Sequence, residues 1–148
     1  MVLTLVDQMT KQVVASTFAL GESISVTSFL SWTYLQNSGA AFSLLADSGD
    51  LQRYLLLSIS FVASLGLIVW IHKTAPSFRQ RLFGQSILLA GALGNLIDRA
   101  LYSVVIDFID LHYEGLYWPV FNLADSFIFI GVALLLFEGW QSSSTSEY

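Results

Sequence analysis

Four long apolar stretches, separated by more polar segments, set the pattern of this chain. They cover residues 1–20, 54–71, 82–97 and 119–140. A membrane-spanning helix needs about 20 mostly apolar residues, so the pattern predicts four transmembrane helices. The first is expected to be short on its N-terminal side, because only six residues precede its first charged residue, Asp7.

The segment between the first two predicted helices has a different period. Its residues Ile24, Val26, Trp32 and Tyr34 alternate with serine and threonine, which is typical of strands with one exposed face. Asn37-Ser38-Gly39 follows as a turn signal. We therefore expect short strands and a turn at the membrane surface, with Trp32 and Tyr34 at the interface between lipid and water.

The segment between the third and fourth predicted helices is also mixed. Val104, Val105 and Ile106 are β-branched, which predicts a short extended piece that ends at Asp107. Proline fits the first turn of a helix, so the fourth helix is expected to begin at Pro119 and to end near Trp140. An aromatic belt precedes it, formed by Tyr113, Tyr117 and Trp118.

Basic residues orient the predicted spans. The loop 72–81 holds three of the six lysine and arginine residues, and such loops face the cytoplasm. Both termini are then cytoplasmic, and the segments 21–50 and 104–117 lie outside. The polar tail 141–148 is predicted to be disordered. No second domain is visible, so residues 1–148 are expected to form a single membrane-embedded domain.

The composition supports an integral membrane protein of one domain. The chain has 148 residues, of which 55% are hydrophobic and 11% are charged, whereas a soluble domain carries roughly 25% charged residues. A net charge of −5 does not suit nucleic-acid binding. The chain has no cysteine, and its two histidines, His72 and His112, are far apart. Neither a thiolate site nor a zinc site is therefore expected, and no cofactor is implied.

Carboxylates are the groups on which chemistry is expected, because a charged residue in a membrane is costly and usually functional. Asp125 is the clearest case, since it is the only charged residue between positions 116 and 137. Helical spacing places Asn122 on the same face as Asp125, and Asn95 on the same face as Asp98 and Arg99. Spacing alone does not decide which carboxylate is the partner of Asp125. The candidates are Asp98, Asp107 and Asp110, of which Asp98 looks ion-paired with Arg99.

Two carboxylates that share a proton can hydrolyse a peptide bond. One accepts a proton from water as general base, and the other donates a proton to the scissile carbonyl. This aspartic-peptidase chemistry needs neither a metal nor a cysteine. The main alternative is a transporter or channel subunit with Asp125 as a relay, which predicts charges along a path across the bilayer. A scaffold subunit would explain the small residues Ala90, Gly91 and Gly94 as packing positions, but not the two Asn–Asp pairs.

Five short motifs occur in one order along the chain. They are Asp7-x-x-x-Lys11, Asn37-Ser38-Gly39-Ala40-Ala41-Phe42, Gly94-Asn95-Leu96-Ile97-Asp98-Arg99, Val105-Ile106-Asp107-Phe108 and Phe121-Asn122-x-Ala124-Asp125. Together they resemble the lipoprotein signal peptidases (signal peptidase II), over nearly the whole chain. The resemblance implies an all-α integral membrane protein, with four transmembrane helices, a small extracytoplasmic β-cradle and a short interfacial helix. It also implies cleavage of prolipoproteins just before a diacylglyceryl-modified cysteine.

The resemblance further implies roles for single residues and a location. The implied catalytic pair is Asp107 and Asp125. The implied supporting and substrate-binding residues are Asn37, Gly39, Asn95, Arg99 and Asn122, and the mainly structural ones are Asp7, Lys11 and Asp98. The site is then expected at the outer, periplasmic face of the bacterial inner membrane. We expect a monomer whose partners are the lipid bilayer and diacylglyceryl-modified prolipoproteins.

The same residues also have structural interpretations. Asn95 and Asn122 are suited to hydrogen bonds between helices, and Asp7 with Lys11 to an i,i+4 ion pair within one helix. The chain departs from the family pattern in its short first span and in a tail that lacks basic residues. Neither departure touches the five motifs.

Overall fold

The computed structural model describes residues 1–39 and 50–145, with side chains up to Gln141. In these residues the chain forms four long helices and one small sheet. The helices are α1 (Val2–Thr17), α2 (Asp50–Lys73), α3 (Arg79–Tyr102) and α4 (Leu123–Thr145). The strands are β1 (Ser23–Ser25), β2 (Leu30–Asn37), β3 (Val105–Tyr113) and β4 (Leu116–Tyr117). The Ala40-Ala41-Phe42 part of the second motif lies outside the described residues.

The sheet has the order β1-β2-β3-β4, and all neighbouring strands are antiparallel. β1 and β2 confirm the strands that the alternating pattern predicted between the first two helices. The register between β2 and β3 shifts between Trp32 and Leu35. Inward-facing residues of these strands form an apolar cluster with α1, whose buried members are Val14, Tyr34, Ile106 and Phe108. The sheet is thereby fixed against the C-terminal half of α1.

β3 is longer than the sequence predicted. Asp107 was expected to end an extended piece, but it is the third residue of a strand of nine residues. The strand continues because β2 supplies backbone partners along most of its length. The position of Asp107 inside a paired strand gives its side chain a defined direction.

The limits of α4 also differ from the prediction. The helix begins at Leu123 rather than Pro119, because Phe121 pairs with Ile109 of β3 in an isolated bridge. It continues to Thr145 and so extends into the tail 141–148 that the sequence predicted to be disordered. No glycine or proline follows Gly139 to end the helix earlier. Residues 146–148 lie outside the described part of the chain.

Two of the described helices are long and apolar enough to cross a membrane, namely Asp50–Lys73 and the part Leu123–Gln141 of α4. α1 and α3 carry more polar residues, but many of these face the protein interior. In α1, Asp7 and Lys11 are fully buried, whereas Leu5 and Met9 are each 60% exposed. Such an arrangement, with polar side chains inside and apolar ones outside, is expected of a helix surrounded by lipid.

α3 is the central helix, and it packs against α1, α2 and α4. The closest approach occurs at two of the glycines that the sequence marked as packing positions. A Cβ atom at Gly91 would collide with the carbonyl oxygen of Ala124, and one at Gly94 would lie 2.5 Å from Asp7 Oδ2. The absence of side chains at these positions brings α1 and the N-terminus of α4 against the same turns of α3.

Candidate active site

Asp107 and Asp125 meet around one asparagine. Asn122 Nδ2 donates a hydrogen bond to Asp107 Oδ1 at 2.7 Å, and the Asn122 backbone N–H donates to Asp125 Oδ2 at 3.2 Å. Asn122 is fully buried, and Asp107 is 3% exposed. Of the three carboxylates that the sequence left open as partners of Asp125, Asp107 is therefore the one that shares Asn122 with it.

The spacing of Asn122 and Asp125 has a local structural cause. The Asp125 backbone N–H donates to Asn122 Oδ1 at 2.9 Å, while the Asn122 N–H donates to the Asp125 carboxylate. This reciprocal arrangement is a capping box, and it satisfies backbone donors that a helix start leaves unpaired. It also orients the Asn122 side chain. Since Oδ1 faces a backbone donor, Nδ2 is directed toward Asp107.

α3 supplies the second amide of the site. Asn95 Nδ2 donates to Asp125 Oδ1 at 2.7 Å. Asn95 Oδ1 accepts from Asn122 Nδ2 at 3.2 Å and from Lys11 Nζ at 3.1 Å. The amide groups of Asn95 and Asn122 therefore form a continuous hydrogen-bonded path from Lys11 to both carboxylates.

The turn after β2 supplies the third amide. Asn37 Nδ2 donates to Asp107 Oδ2 at 3.0 Å, and Asn37 Oδ1 accepts from the Gly39 N–H at 2.8 Å. Gly39 has a φ of +85°, a left-handed conformation that suits glycine. Gln52 of α2 donates to the carbonyl oxygens of Ser38 at 3.2 Å and Gly39 at 3.1 Å. Gln52 thus holds the turn that aims Asn37, a role that the sequence did not indicate.

The environment of Asp107 changes its protonation. Burial raises the pKa of Asp107 to about 6, and the negative charge of Asp125 adds to the rise. Hydrogen bonds from Asn37 and Asn122, together with the charge of Lys11, lower the pKa of Asp107 and offset part of this rise. A carboxyl group with such a pKa can both hold and release a proton near neutral pH.

The predicted ion pair between Asp98 and Arg99 is wrong. Asp98 Oδ2 instead forms an ion pair with Lys11 Nζ at 2.9 Å. Adjacent residues of a helix do not face each other, and α3 directs Asp98 toward α1. Arg99 Nη1 donates to the Asn95 carbonyl oxygen at 3.4 Å. The charge of Arg99 interacts with the charges of Asp125, Asp107 and Asp98, in decreasing order, so this arginine belongs to the surroundings of the two carboxylates.

The structure also places the other polar residues of this region, namely Asp7, Lys11, Asp110 and Gln8. The ion pair of Asp7 and Lys11 is present, at 3.0 Å. Asp110 accepts a hydrogen bond from Thr33 Oγ1 at 2.9 Å. Because Asp110 is three residues after Asp107 in β3, the two side chains lie on opposite faces of the sheet. The sequence also gave no weight to Gln8, whose Nε2 donates to Asp98 Oδ1 at 2.8 Å. Gln8 could have been singled out from the sequence, because it is a polar residue beside Asp7 in an otherwise apolar helix.

A cavity of about 480 Å³ opens beside Asp125. Apart from Asp125 and Ser126, its lining is apolar or aromatic, formed by Leu111, Trp118, Phe121, Phe129 and Ile130. An apolar cavity with a few polar groups is the usual form of a site for a small or extended ligand. The carboxylate of Asp125 is therefore within reach of a ligand that is itself largely apolar.

Comparisons with known proteins agree over nearly the whole chain. The family model described as Signal peptidase (SPase) II matches residues 1–141. The lipoprotein signal peptidase of Pseudoalteromonas translucida is 44% identical over 149 aligned positions, which cover 100% of this chain and 89% of that protein. The lipoprotein signal peptidase of Shewanella amazonensis is 38% identical over 146 residues, with coverage of 99% and 87%.

Two solved structures are also similar. Both are described as bacterial membrane enzymes determined by the in meso method, at 1.9 Å and 2.3 Å resolution. The first gives a TM-score of 0.82 at 37% identity and covers 92% of this chain and 86% of that chain. The second gives a TM-score of 0.85 at 36% identity, with coverage of 98% and 87%.

Proposed function

We propose a mechanism for this site from one premise, that the chain belongs to the signal peptidase II family. It is therefore a membrane peptidase, and its reaction is the removal of signal peptides from prolipoproteins. We assign the catalytic roles to Asp107 and Asp125. The observation that carries this assignment is the placement of their two carboxyl groups around Asn122, at 2.7 Å and 3.2 Å from its two nitrogen atoms.

The two carboxyl groups divide the proton transfers. Asp107, whose pKa burial raises to about 6, holds the proton at the start and donates it to the scissile carbonyl oxygen. Asp125 accepts a proton from water as the water oxygen bonds to the carbonyl carbon. When the resulting diol collapses, Asp107 recovers its proton and Asp125 protonates the leaving nitrogen. The products are a free carboxylate on the signal peptide and a free amino group on the cysteine.

The neighbouring side chains have supporting roles. Asn37, Asn95 and Asn122 donate hydrogen bonds that hold the carboxyl oxygens in fixed directions. Arg99 offsets the negative charge that the pair carries when one proton is shared. Asn37 and Gly39 also line the site for the peptide, since the turn that they form lies next to Asp107.

Four spans and a cradle fit the described structure. The buried polar residues of α1 and α3 allow these helices, like α2 and α4, to face lipid with apolar side chains. With the loop 72–81 in the cytoplasm, the sheet and the two aspartates lie at the periplasmic face of the inner membrane. The substrate enters as a lipid-anchored chain, and the apolar cavity beside Asp125 receives part of it. The chain works as a single monomeric domain.

Labelling tests this orientation. Cysteines introduced at Ser77 and at Ser25, both at exposed positions, should react with a membrane-impermeant reagent from opposite sides of the membrane. The parent chain has no cysteine and serves as the blank. Labelling of both positions from the same side would contradict the proposed topology.

Cleavage of a purified precursor tests the function. The diacylglyceryl-modified prolipoprotein should be cut just before its modified cysteine, and the unmodified precursor should be cut much more slowly. Asp125→Asn, at an equal amount of folded protein, should cut the modified precursor at least about 100-fold more slowly than the parent. If Asp125→Asn cleaved the modified precursor at the parent rate, the assignment of Asp107 and Asp125 as the catalytic pair would be wrong.

A further inference from the structure

We propose that three buried charged residues, Asp7, Lys11 and Asp98, form a positioning unit for the two catalytic aspartates. We refer to these three residues as the buried triad. The inference rests on the proposed function, because it concerns how that catalytic pair is held. The family resemblance assigned the three residues a mainly structural role, whereas their contacts lead to the catalytic carboxyl groups by three separate routes.

The first two routes run through the backbone. Asp7 Oδ1 accepts from the N–H of Ala124 at 2.8 Å, and Ala124 immediately precedes Asp125. Asp98 Oδ2 accepts from the N–H of Ile106 at 3.1 Å, and Ile106 immediately precedes Asp107. Each carboxylate of the buried triad thus holds the peptide group beside one catalytic residue.

Lys11 joins these two anchors. Its ammonium lies 3.0 Å from Asp7 Oδ2 and 2.9 Å from Asp98 Oδ2, and all three side chains are fully buried. Because one ammonium group binds both carboxylates, it fixes the distance between the α4 start and β3. The two catalytic carboxyl groups project from these two elements, so the buried triad sets the separation from which they act.

The third route orients a side-chain amide. An ammonium group can only donate, so Lys11 Nζ must face the oxygen of the Asn95 amide, which it contacts at 3.1 Å. The Nδ2 atom of Asn95 is then directed toward Asp125 Oδ1, at 2.7 Å. An Asn95 amide turned by half a rotation would present its oxygen to the Asp125 carboxylate. Lys11, together with the Asn122 amide that also donates to Asn95 Oδ1, therefore selects the amide orientation that supports the catalytic base.

Stability alone does not account for such a unit. Burying charged groups costs free energy that their mutual attraction only partly returns, and apolar replacements of buried ion pairs are often as stable. The buried triad also lies in a crowded place, since a Cβ atom at Gly94 would lie 2.5 Å from Asp7 Oδ2 and 3.0 Å from Ala124 Cβ. We infer that the buried triad costs stability and that its benefit is the fixed geometry of the catalytic pair.

Two variants separate positioning from packing. The triple variant Asp7→Asn, Lys11→Met, Asp98→Asn removes all three charges together, so no buried charge is left unpaired. Its two asparagines keep oxygen acceptors for the N–H groups of Ala124 and Ile106, but it lacks the ammonium that orients Asn95. The second variant, Gly94→Ala, leaves every charge in place and displaces the Asp7 carboxylate by contact with the added methyl group.

Each variant has a matched control elsewhere along the interface between α3 and α4. Glu138→Gln removes the ion pair with Arg81, whose atoms lie 2.9 Å apart. Gly131→Ala places a methyl group 2.6 Å from the backbone nitrogen of Leu88, a collision similar in severity to the one at Gly94. Both controls disturb packing outside the buried triad, Glu138→Gln near the start of α3 and Gly131→Ala near the middle of the two helices. Both should therefore keep the parent kcat per folded molecule.

The readouts are steady-state cleavage of the lipidated precursor and the side-chain amide signals of Asn95 in nitrogen-15 NMR spectra. We expect the triple variant and Gly94→Ala to lose about 100-fold in kcat with little change in KM, as a displacement of about 1 Å at a catalytic group can cause. We also expect the Asn95 signals to move in both variants and to stay in place in both controls.

The outcomes distinguish this inference from the proposed function. If the parent does not cleave the lipidated precursor, the proposed function fails, and if the parent and Asp125→Asn cleave it at equal rates, the assignment of the catalytic pair fails. If the parent alone cleaves, but the triple variant and Gly94→Ala keep its kcat per folded molecule with unmoved Asn95 signals, the positioning role is overturned. Equal losses of kcat in the site variants and in their controls would likewise reduce the buried triad to a packing role.

Discussion

α3 is joined to α4 by polar side chains at both of its ends, and the two junctions differ in kind. Near the start of α3, Arg81 donates from Nε to Glu138 Oε2 at 3.1 Å and from Nη2 to Oε1 at 2.9 Å. Near the other end, Asn95 donates from Nδ2 to Asp125 Oδ1 at 2.7 Å. The first junction pairs a carboxylate with a guanidinium group, and the second pairs one with an amide.

This difference separates a structural carboxylate from a reactive one. A guanidinium that binds both oxygens forms two charge-assisted hydrogen bonds with the carboxylate, which fix its position. The hydrogen bonds that Asp107 and Asp125 accept within residues 1–39 and 50–141 come from asparagine side chains and from a backbone N–H. A carboxyl group with neutral donors can take up a proton without breaking an ion pair. The ammonium of Lys11 forms ion pairs with Asp7 and Asp98, not with either member of the proposed catalytic pair.

Removal of the carboxyl groups themselves should have the largest effect. Asp107→Asn and Asp125→Asn should each lower turnover of the lipidated precursor by about 10²–10⁴-fold or more, because an amide cannot transfer the proton. The double variant should be no slower than either single one, since the two groups act as a unit. Asp110→Asn, which changes a carboxylate bonded to Thr33 on the other face of β3, should keep most of the rate. A double variant whose loss equals the product of the two single losses would mean that the two acids act independently.

Arg99→Ala should have a smaller effect, on activity more than on stability. The sequence suggested that Arg99 pairs with Asp98, which would give Arg99 a structural role, but Asp98 is bound to Lys11. Loss of a positive charge near Asp125 and Asp107 should reduce kcat by about tenfold to 100-fold, somewhat less than the loss of a donor in direct contact with the reacting oxygen. Thermal unfolding in detergent should change little. A large fall in the unfolding temperature with unchanged turnover would mean that Arg99 is structural and does not act on the two carboxyl groups.

The pH dependence of stability should show the unusual protonation of Asp107. Burial raises the pKa of Asp107 from 3.8 to about 6, so the folded state binds the proton more tightly than the unfolded state does. The unfolding free energy of the parent should therefore fall as the pH rises from about 4 to about 6, by up to about 3 kcal/mol. Asp107→Asn lacks this group, and its lost hydrogen bond is a cost that does not depend on pH.

Chemical unfolding of both proteins at pH 4, 6 and 8 measures this difference. Relative to the parent, Asp107→Asn should gain stability across that interval and then show no further gain. A difference between the two proteins that stays constant over the whole range would mean that Asp107 titrates in the ordinary range of an aspartate.

Features that depend on near neighbours in the sequence were predictable. The alternation of Ile24 with serines and of Trp32 with threonine and serine identified β1 and β2. Asn122 and Asp125 are three residues apart, which predicted that their side chains lie close together. In the structure the two residues form the capping box at the start of α4. The i,i+4 pair of Asp7 and Lys11 also follows from helical geometry alone.

Features that depend on which elements meet in space were not predictable from spacing. Asp98 stands beside Arg99 in the sequence, but the face of α3 that meets α1 determines that its partner is Lys11. The length of β3 depends on its pairing with β2, and the later start of α4 depends on the bridge between Ile109 and Phe121. For the same reason, the contact of Asn37 with Asp107 could not be predicted without knowing that β2 pairs with β3.

The central claim, that Asp107 and Asp125 share one proton, is tested most directly by carbon-13 NMR titration of the aspartate carboxyl groups in the folded protein. Each carboxyl signal is assigned by its loss in the variant that replaces the corresponding aspartate with asparagine. In the parent, the Asp107 signal should titrate near pH 6. In Asp125→Asn it should titrate at a lower pH, because the neighbouring negative charge is gone. An Asp107 signal that titrates near pH 4 in the parent, or at the same pH in both proteins, would contradict the account.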